Sequence, residues 1–126
     1  MRVILTSEAP QPFGHYSQAV EQNGLIYVSG QLPALANGTH DATASFDVQA
    51  ARVLSSLDAI LKEAGSSTKD LLKVTAYIVG VGNWPAFNQV YAQYLGDARP
   101  ARSVVPVPEL HHGYLIEIDA IARTAR

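Results

Sequence analysis

The sequence predicts an α+β fold with two helices on one side of a mostly antiparallel or mixed β-sheet. Three observations carry that reading. A helical period runs through residues 46–64, a second and shorter apolar stripe follows Asn83, and the remaining apolar segments are short, β-rich and punctuated by Gly and Pro. The order of elements is two or three strands, a helix, a strand, a helix and two strands, for which helices layered on one sheet face are the economical arrangement. At 126 residues the chain has the length of a single domain, expected over 1–126.

Val3 to Leu5 is a brief β-prone start, and the segment from Glu8 to Gly14 reads as extended loop because it carries Pro10 and Pro12. A short strand is expected from Tyr16 to Glu21. Asn23-Gly24 then supplies a strong hairpin-turn signal, followed by a strand from Leu25 to Ser29. Residues 30–41 read as loop. In the first helix, Val48, Ala51, Leu54, Leu57, Leu61 and Ala64 keep helical spacing, and Ala50, Val53 and Ile60 widen the apolar face. Ser45 is placed to cap it, Asp47 suits the positive end of the helix dipole, and Gly65 fits the position just past its end.

Leu71 to Val79 reads as a buried strand. Asn83 is expected to cap the second helix, with Pro85 tolerated in its first turn and Gly96 ending it. Ala101 to Val107 is a strand, and Tyr114 to Ala122 is the last one. Alternation there puts Ile116, Ile118, Ala120 and Ala122 on one face and Glu117, Asp119 and Ile121 on the other. Two helices cover only one face of such a sheet. The other is also partly apolar, and self-association is the simplest way to cover it.

Composition narrows the function. Nine basic and eleven acidic side chains give a net charge of −2, which disfavours charge-driven nucleic-acid binding. With no cysteine there is no disulfide framework, thiolate nucleophile or Cys-ligated zinc. No apolar run has the length of a membrane span, and the N-terminal segment does not read as a signal peptide, so a cytoplasmic protein is expected. Charged residues make up only 16% of the chain, against about 25% in an average soluble domain, which again suggests a covered surface. The sequence holds no Gly-x-Ser-x-Gly elbow, phosphate-binding glycine loop or His-Glu-x-x-His.

Few residues are left to carry chemistry. His111-His112 and His40 read as solvated loop histidines, and His15 as structural. Glu117 and Asp119 are unusual in a strand reading IEIDAIA. They are either the solvent side of an edge strand or carboxylates held in a cleft for proton transfer. Arg102, at the start of ARSVVPV, is either a rim residue or a fork for a carboxylate, with Arg99 and Arg123 as competitors. The residues by themselves reach an Arg-plus-Glu site and name no reaction.

Five segments, GHYSQAV (14–20), LIYVSGQLP (25–33), Asn88 with Tyr91, PARSVVPV (100–107) and IEIDAIA (116–122), together resemble the RidA/YjgF family of imine deaminases. The resemblance extends over about residues 9–123. It implies a chorismate-mutase-like α+β fold: a mixed sheet, two helices packed on one face, and a homotrimer with a cleft at each subunit interface. It also implies cofactor-free hydrolysis of 2-imino or 2-enamino acids to 2-keto acids and ammonia, the partners being these small molecules, with no nucleic acid and no membrane.

Residue by residue, Arg102 matches the arginine that holds the substrate carboxylate, and Glu117 the glutamate that positions or activates water. Tyr16 and Ser29 match residues lining the cleft, Gly30 permits close approach of backbone, and Asn88 matches a recurrent polar helix position. Sequence adjacency alone would make the last two strands a hairpin with Arg102 opposite Glu117, whereas the family fold places another strand between them.

Two departures bear on substrate range. Val104 stands where many members carry Cys, leaving its backbone N–H as the donor there. The loop PELHHGY also differs from the usual version, so that His112 and Tyr114 are expected to change what enters the cleft. The alternatives are a dedicated enamine deaminase of aminoacrylate or 2-aminomuconate type, and a non-catalytic trimeric protein that binds small carboxylates. Nuclease activity, attached to some relatives, sits badly with the net charge.

Overall fold

A computed structural model describes residues 1–125. Six strands form one sheet: β1 (Arg2–Ile4), β2 (Ala19–Gln22), β3 (Leu25–Gln31), β4 (Leu71–Val79), β5 (Ala101–Val107) and β6 (Ile116–Arg123). Their order across the sheet is β1-β2-β3-β6-β4-β5. The two helices are α1 (Phe46–Glu63) and α2 (Trp84–Leu95). All neighbouring strands are antiparallel except β4 and β5, which run parallel because α2 carries the chain back between them.

Local chemistry accounts for the element ends. The β2–β3 turn has positive φ at both Asn23 (54°) and Gly24 (81°), the left-handed pair that a two-residue hairpin requires. Ser45 caps α1 by accepting from the Val48 N–H, and Gly65 leaves the helix at φ 78°. Asn83 occupies the N-cap position of α2, but its side chain makes no capping bond. It donates instead to the Val79 carbonyl at 2.9 Å, tying the helix start to the end of β4.

The core lies between the helices and one sheet face. Ile26, Val28, Val74, Ala76, Ile78, Ile116, Ile118, Ala120 and Ala122 meet Ala50, Val53, Leu54, Leu57, Ile60 and Leu61 of α1 and Phe87 of α2. The other face carries Tyr27, Lys73, Thr75, Tyr77, Glu117, Asp119 and Ile121, all half-buried or exposed. The alternation expected for β6 is the one observed.

The strand that the family resemblance places between the last two is present: β4 lies between β5 and β6, and no hairpin joins them. Two expectations change. Tyr16 lies in a bend rather than a strand, held there by its N–H bond to the Gly14 carbonyl (3.1 Å) and by the Phe13 N–H donating to its hydroxyl (3.1 Å). The last strand begins at Ile116, because residues 111–113 form a single 3-10 turn.

Two buried glutamines, which the sequence did not single out, hold the loops. Gln18 accepts from the Thr6 N–H (2.8 Å) and donates to the Thr6 (3.1 Å) and Pro10 (2.9 Å) carbonyls, anchoring the N-terminal loop. Gln49 donates to the Ala44 carbonyl (3.0 Å) and accepts from the Leu115 N–H (2.8 Å), joining α1 to the approach to β6. Each satisfies backbone groups that no strand partner reaches.

Candidate active site

The strand register decides which side chains share a surface. Glu117 pairs with Tyr77 and Asp119 with Thr75, on the face away from the helices. Arg102 pairs with Val74, whose side chain is fully buried beneath the helices. Arg102 and Glu117 therefore lie on opposite faces of the sheet, with β4 between their strands.

Glu117 occupies a cavity of about 390 Å³ with Tyr16, Ser29 and Gly30, and with Phe13, Leu32 and His111 at its walls. The wall at Gly30 follows from an irregularity in β3. The four residues from Val28 to Gln31 span what the three residues from Ala120 to Ile118 span on β6, so the strand bulges at Ser29-Gly30. A side chain at Gly30 would collide with the Glu117 carboxylate, its Cβ falling 3.0 Å from Cδ and closer to Oε2. Glycine thus lets the carboxylate lie against the backbone. The Ser29 hydroxyl donates to the Ser17 carbonyl at 2.6 Å, fixing the bulge to the preceding loop.

The Glu117 carboxyl has its pKa raised above the ordinary value, chiefly by burial and secondarily by the neighbouring Asp119 carboxylate. Asp119 is itself held by the Tyr77 hydroxyl, 3.1 Å away. These carboxylates stand on a strand flanked by β3 and β4, so the edge-strand reading does not hold. A carboxylate with a raised pKa in a cavity has the properties of a proton acceptor that can later return the proton.

On the other face, the Arg102 guanidinium sits 5.2 Å from the centre of the Tyr91 ring and 5.5 Å from that of Phe87. One of its nitrogens donates to Asn88 Oδ1 at 2.9 Å. These contacts orient the planar fork without neutralising it, leaving donors for an anion. Asn88, Tyr91 and Arg102 line a second cavity, of about 410 Å³, beside α2.

Among the residues matched to the family, Tyr16, Ser29, Gly30 and Glu117 thus come together, and Asn88 and Arg102 form a separate group. Val104, on β5, pairs with Ala76 of β4 and is half-buried. Tyr114 is only 1% exposed and lines neither cavity, its hydroxyl lying 2.7 Å from His40 Nδ1.

The loop histidines are exposed yet organised. His40 and His112 stack at 4.0 Å between ring centres, His111 lies 3.8 Å from His112, and Phe13 packs 4.9 Å from His40. Sequence reasoning left them unconnected because residues 13, 40 and 111–112 meet only through the fold. No group of His, Asp or Glu suited to a metal ion occurs among the described residues, nor any helix long and apolar enough to cross a membrane.

Residues 6–124 match the family model described as endoribonuclease L-PSP. A RutC family protein of Pyrococcus abyssi is 40% identical over 120 residues, covering 95% of this chain and 94% of its own. A 2-iminobutanoate/2-iminopropanoate deaminase of Dermatophagoides farinae is 33% identical over 120 residues, covering 95% of this chain and 94% of its own. The crystal structure of Escherichia coli TdcF with bound serine superposes with a TM-score of 0.93 at 31% identity, covering 99% of this chain and 100% of that one. The sequence, the sheet order and these likenesses agree: the chain belongs to the RidA/YjgF family.

Proposed function

We propose that this protein hydrolyses 2-imino and 2-enamino acids to 2-keto acids and ammonia, and that it does so as a homotrimer with its sites between subunits. The observation that carries the reading is the Glu117 carboxylate lying against Gly30 in a cavity, while the oriented guanidinium of Arg102 lies on the other sheet face. Neither group reaches the other within one chain. A second copy that brings its Arg102 to this Glu117 completes a site for a carboxylate next to an imine. It also covers the half-apolar sheet face.

In that site Arg102 takes the substrate carboxylate, by charge-assisted bonds worth about 1.5–3 kcal/mol. An imine carbon is already electrophilic once its nitrogen is protonated, so orientation and a delivered water are the main requirements. Glu117 accepts a proton from water as its oxygen attacks the imine carbon. The resulting carbinolamine collapses to the 2-keto acid, and nitrogen leaves as ammonia with the proton that Glu117 returns. Tyr16, Ser29 and Gly30 shape the pocket, with Asn88 holding Arg102 and the Val104 N–H as a further donor. The name of the Dermatophagoides farinae relative supports this reaction.

A second reading is kept because the TdcF structure holds serine: a small-carboxylate-binding regulator using the same Arg102. One experiment separates the two. Release of 2-oxobutanoate from 2-iminobutanoate, generated in situ, is followed with wild type and Arg102→Ala. The deaminase reading predicts acceleration over spontaneous hydrolysis that Arg102→Ala abolishes. No acceleration by wild type, together with a melting shift on adding serine or 2-oxobutanoate, replaces it with the regulator. A panel of imines and enamines then tests for a dedicated enamine substrate.

A further inference from the structure

We propose that the cavity between α2 and β5 is a two-anion site, in which Arg102 and Arg99 each take one carboxylate of a short dicarboxylate ligand. The inference rests on the reaction proposed above for Arg102 as a clamp, and it names the substrate class: 2-imino acids whose side chain ends in a second carboxylate.

Arg2, Arg52 and Arg123 are each paired with a carboxylate, from Glu21, Asp41 and Asp70 respectively. Arg99 and Arg102 are the described arginines that make no ion pair, and both line the same cavity of about 410 Å³. Neutral acceptors orient them. Arg99 donates to the Gly96 carbonyl at 3.1 Å, and Arg102 to Asn88 Oδ1 at 2.9 Å. A guanidinium has five N–H groups, so each keeps donors for a ligand.

A third residue of interest lines the same cavity. Tyr91, only 8% exposed, lines the cavity, and its buried hydroxyl has no hydrogen-bond partner. Buried hydroxyls are normally satisfied, so this one is an unspent donor beside the cavity. Two uncompensated cations on one cavity repel each other. A monoanion neutralises one of them, whereas a dianion neutralises both and uses both planar forks.

For such a substrate the hydrolysis is unchanged. The C=N bond breaks, a C=O bond forms from the water oxygen, and both water hydrogens leave on the nitrogen as ammonia. The 2-keto dicarboxylate that remains keeps both charges.

The test compares binding of 2-oxoglutarate, 2-oxobutanoate and inorganic phosphate by calorimetry, and hydrolysis of 2-iminoglutarate and 2-iminobutanoate, in wild type and Arg99→Gln. Wild type is expected to bind 2-oxoglutarate about tenfold or more tightly than 2-oxobutanoate, and Arg99→Gln to bring that ratio to within about twofold. Equal binding of the two keto acids by wild type, a ratio that Arg99→Gln leaves unchanged, or phosphate binding as tight as 2-oxoglutarate overturns the proposal. If the binding ratio behaves as expected and neither imine is hydrolysed, the two-anion site stands and the deaminase reading falls. If 2-iminobutanoate is hydrolysed but the binding ratio is one, the reverse holds.

Discussion

Arg102 and Glu117 lie on opposite faces of one sheet, Arg102 beside Val74 under α2 and Glu117 beside Tyr77 on the face away from the helices. The relationship is set by backbone register, because side chains alternate along each strand and β4 stands between β5 and β6. A reaction needing both groups on one small substrate therefore needs two copies of the chain.

Arg102→Lys is expected to lower kcat/KM for 2-iminobutanoate by about 10- to 100-fold, the equivalent of one charge-assisted bond. Lysine keeps the charge but offers neither the planar fork nor the stack on Tyr91 and Phe87. The side chain is exposed at the sheet edge, so far-ultraviolet circular dichroism and melting temperature should stay near wild type. Near-normal turnover would remove the carboxylate clamp.

Glu117→Gln is expected to lower kcat far more than it raises KM, since glutamine fills the same space and accepts no proton. Wild-type kcat should rise as pH climbs through the elevated Glu117 pKa, because the ionised form is the base. Stability should move the opposite way. An acid whose folded pKa is raised stabilises the fold fully below its unfolded value, 4.5, and that contribution is lost as pH rises through the folded pKa. Wild type should therefore lose melting temperature relative to Glu117→Gln across that window. A flat difference between the two melting curves would contradict burial as the cause.

Gly30→Ala puts a methyl group into the Glu117 carboxylate. The far end of a flexible side chain can yield, so the stability change should stay within about 1 kcal/mol. Activity should fall by about tenfold or more as the carboxylate is displaced. The same substitution in a Glu117→Gln background should cost no further activity, since the base that it displaces is already lost. Additive losses would show that Gly30 acts elsewhere.

Gln18→Leu preserves volume and leaves the Thr6 N–H and the Pro10 carbonyl buried without their side-chain partner. Urea denaturation should show a loss of about 2–4 kcal/mol. A loss under 1 kcal/mol would mean that water reaches those groups and that Gln18 does not anchor the loop.

What the sequence made legible was local. The period of α1, the Ser45 cap, the Asn23-Gly24 turn and the two faces of β6 all follow from spacing and residue type within one segment, and the structure has each of them. What it concealed depends on which of several competing partners a side chain or strand takes, near or far along the chain. Tyr16 reads as strand because its neighbours are β-prone, yet its phenol folds back on Phe13. Asn83 reads as a cap, yet the Val79 carbonyl competes for its side chain. The insertion of β4 between β5 and β6 joins a parallel pairing to an antiparallel one, and neither carries a hairpin signal. The stack of His40 on His112 joins loops 72 residues apart (112 − 40). Arg102 and Glu117 could be picked out as chemically unusual for their strands, but their separation onto two faces required the register.

The most direct test of an intersubunit site is to mix Arg102→Ala with Glu117→Gln, each inactive alone, after denaturing and refolding them together in equal amounts. If each site takes Arg102 from one subunit and Glu117 from a neighbour, random assembly gives about one quarter of sites both intact groups, and about one quarter of wild-type imine hydrolysis should return. A co-refolded mixture that forms mixed trimers and remains as inactive as its two components would contradict the account.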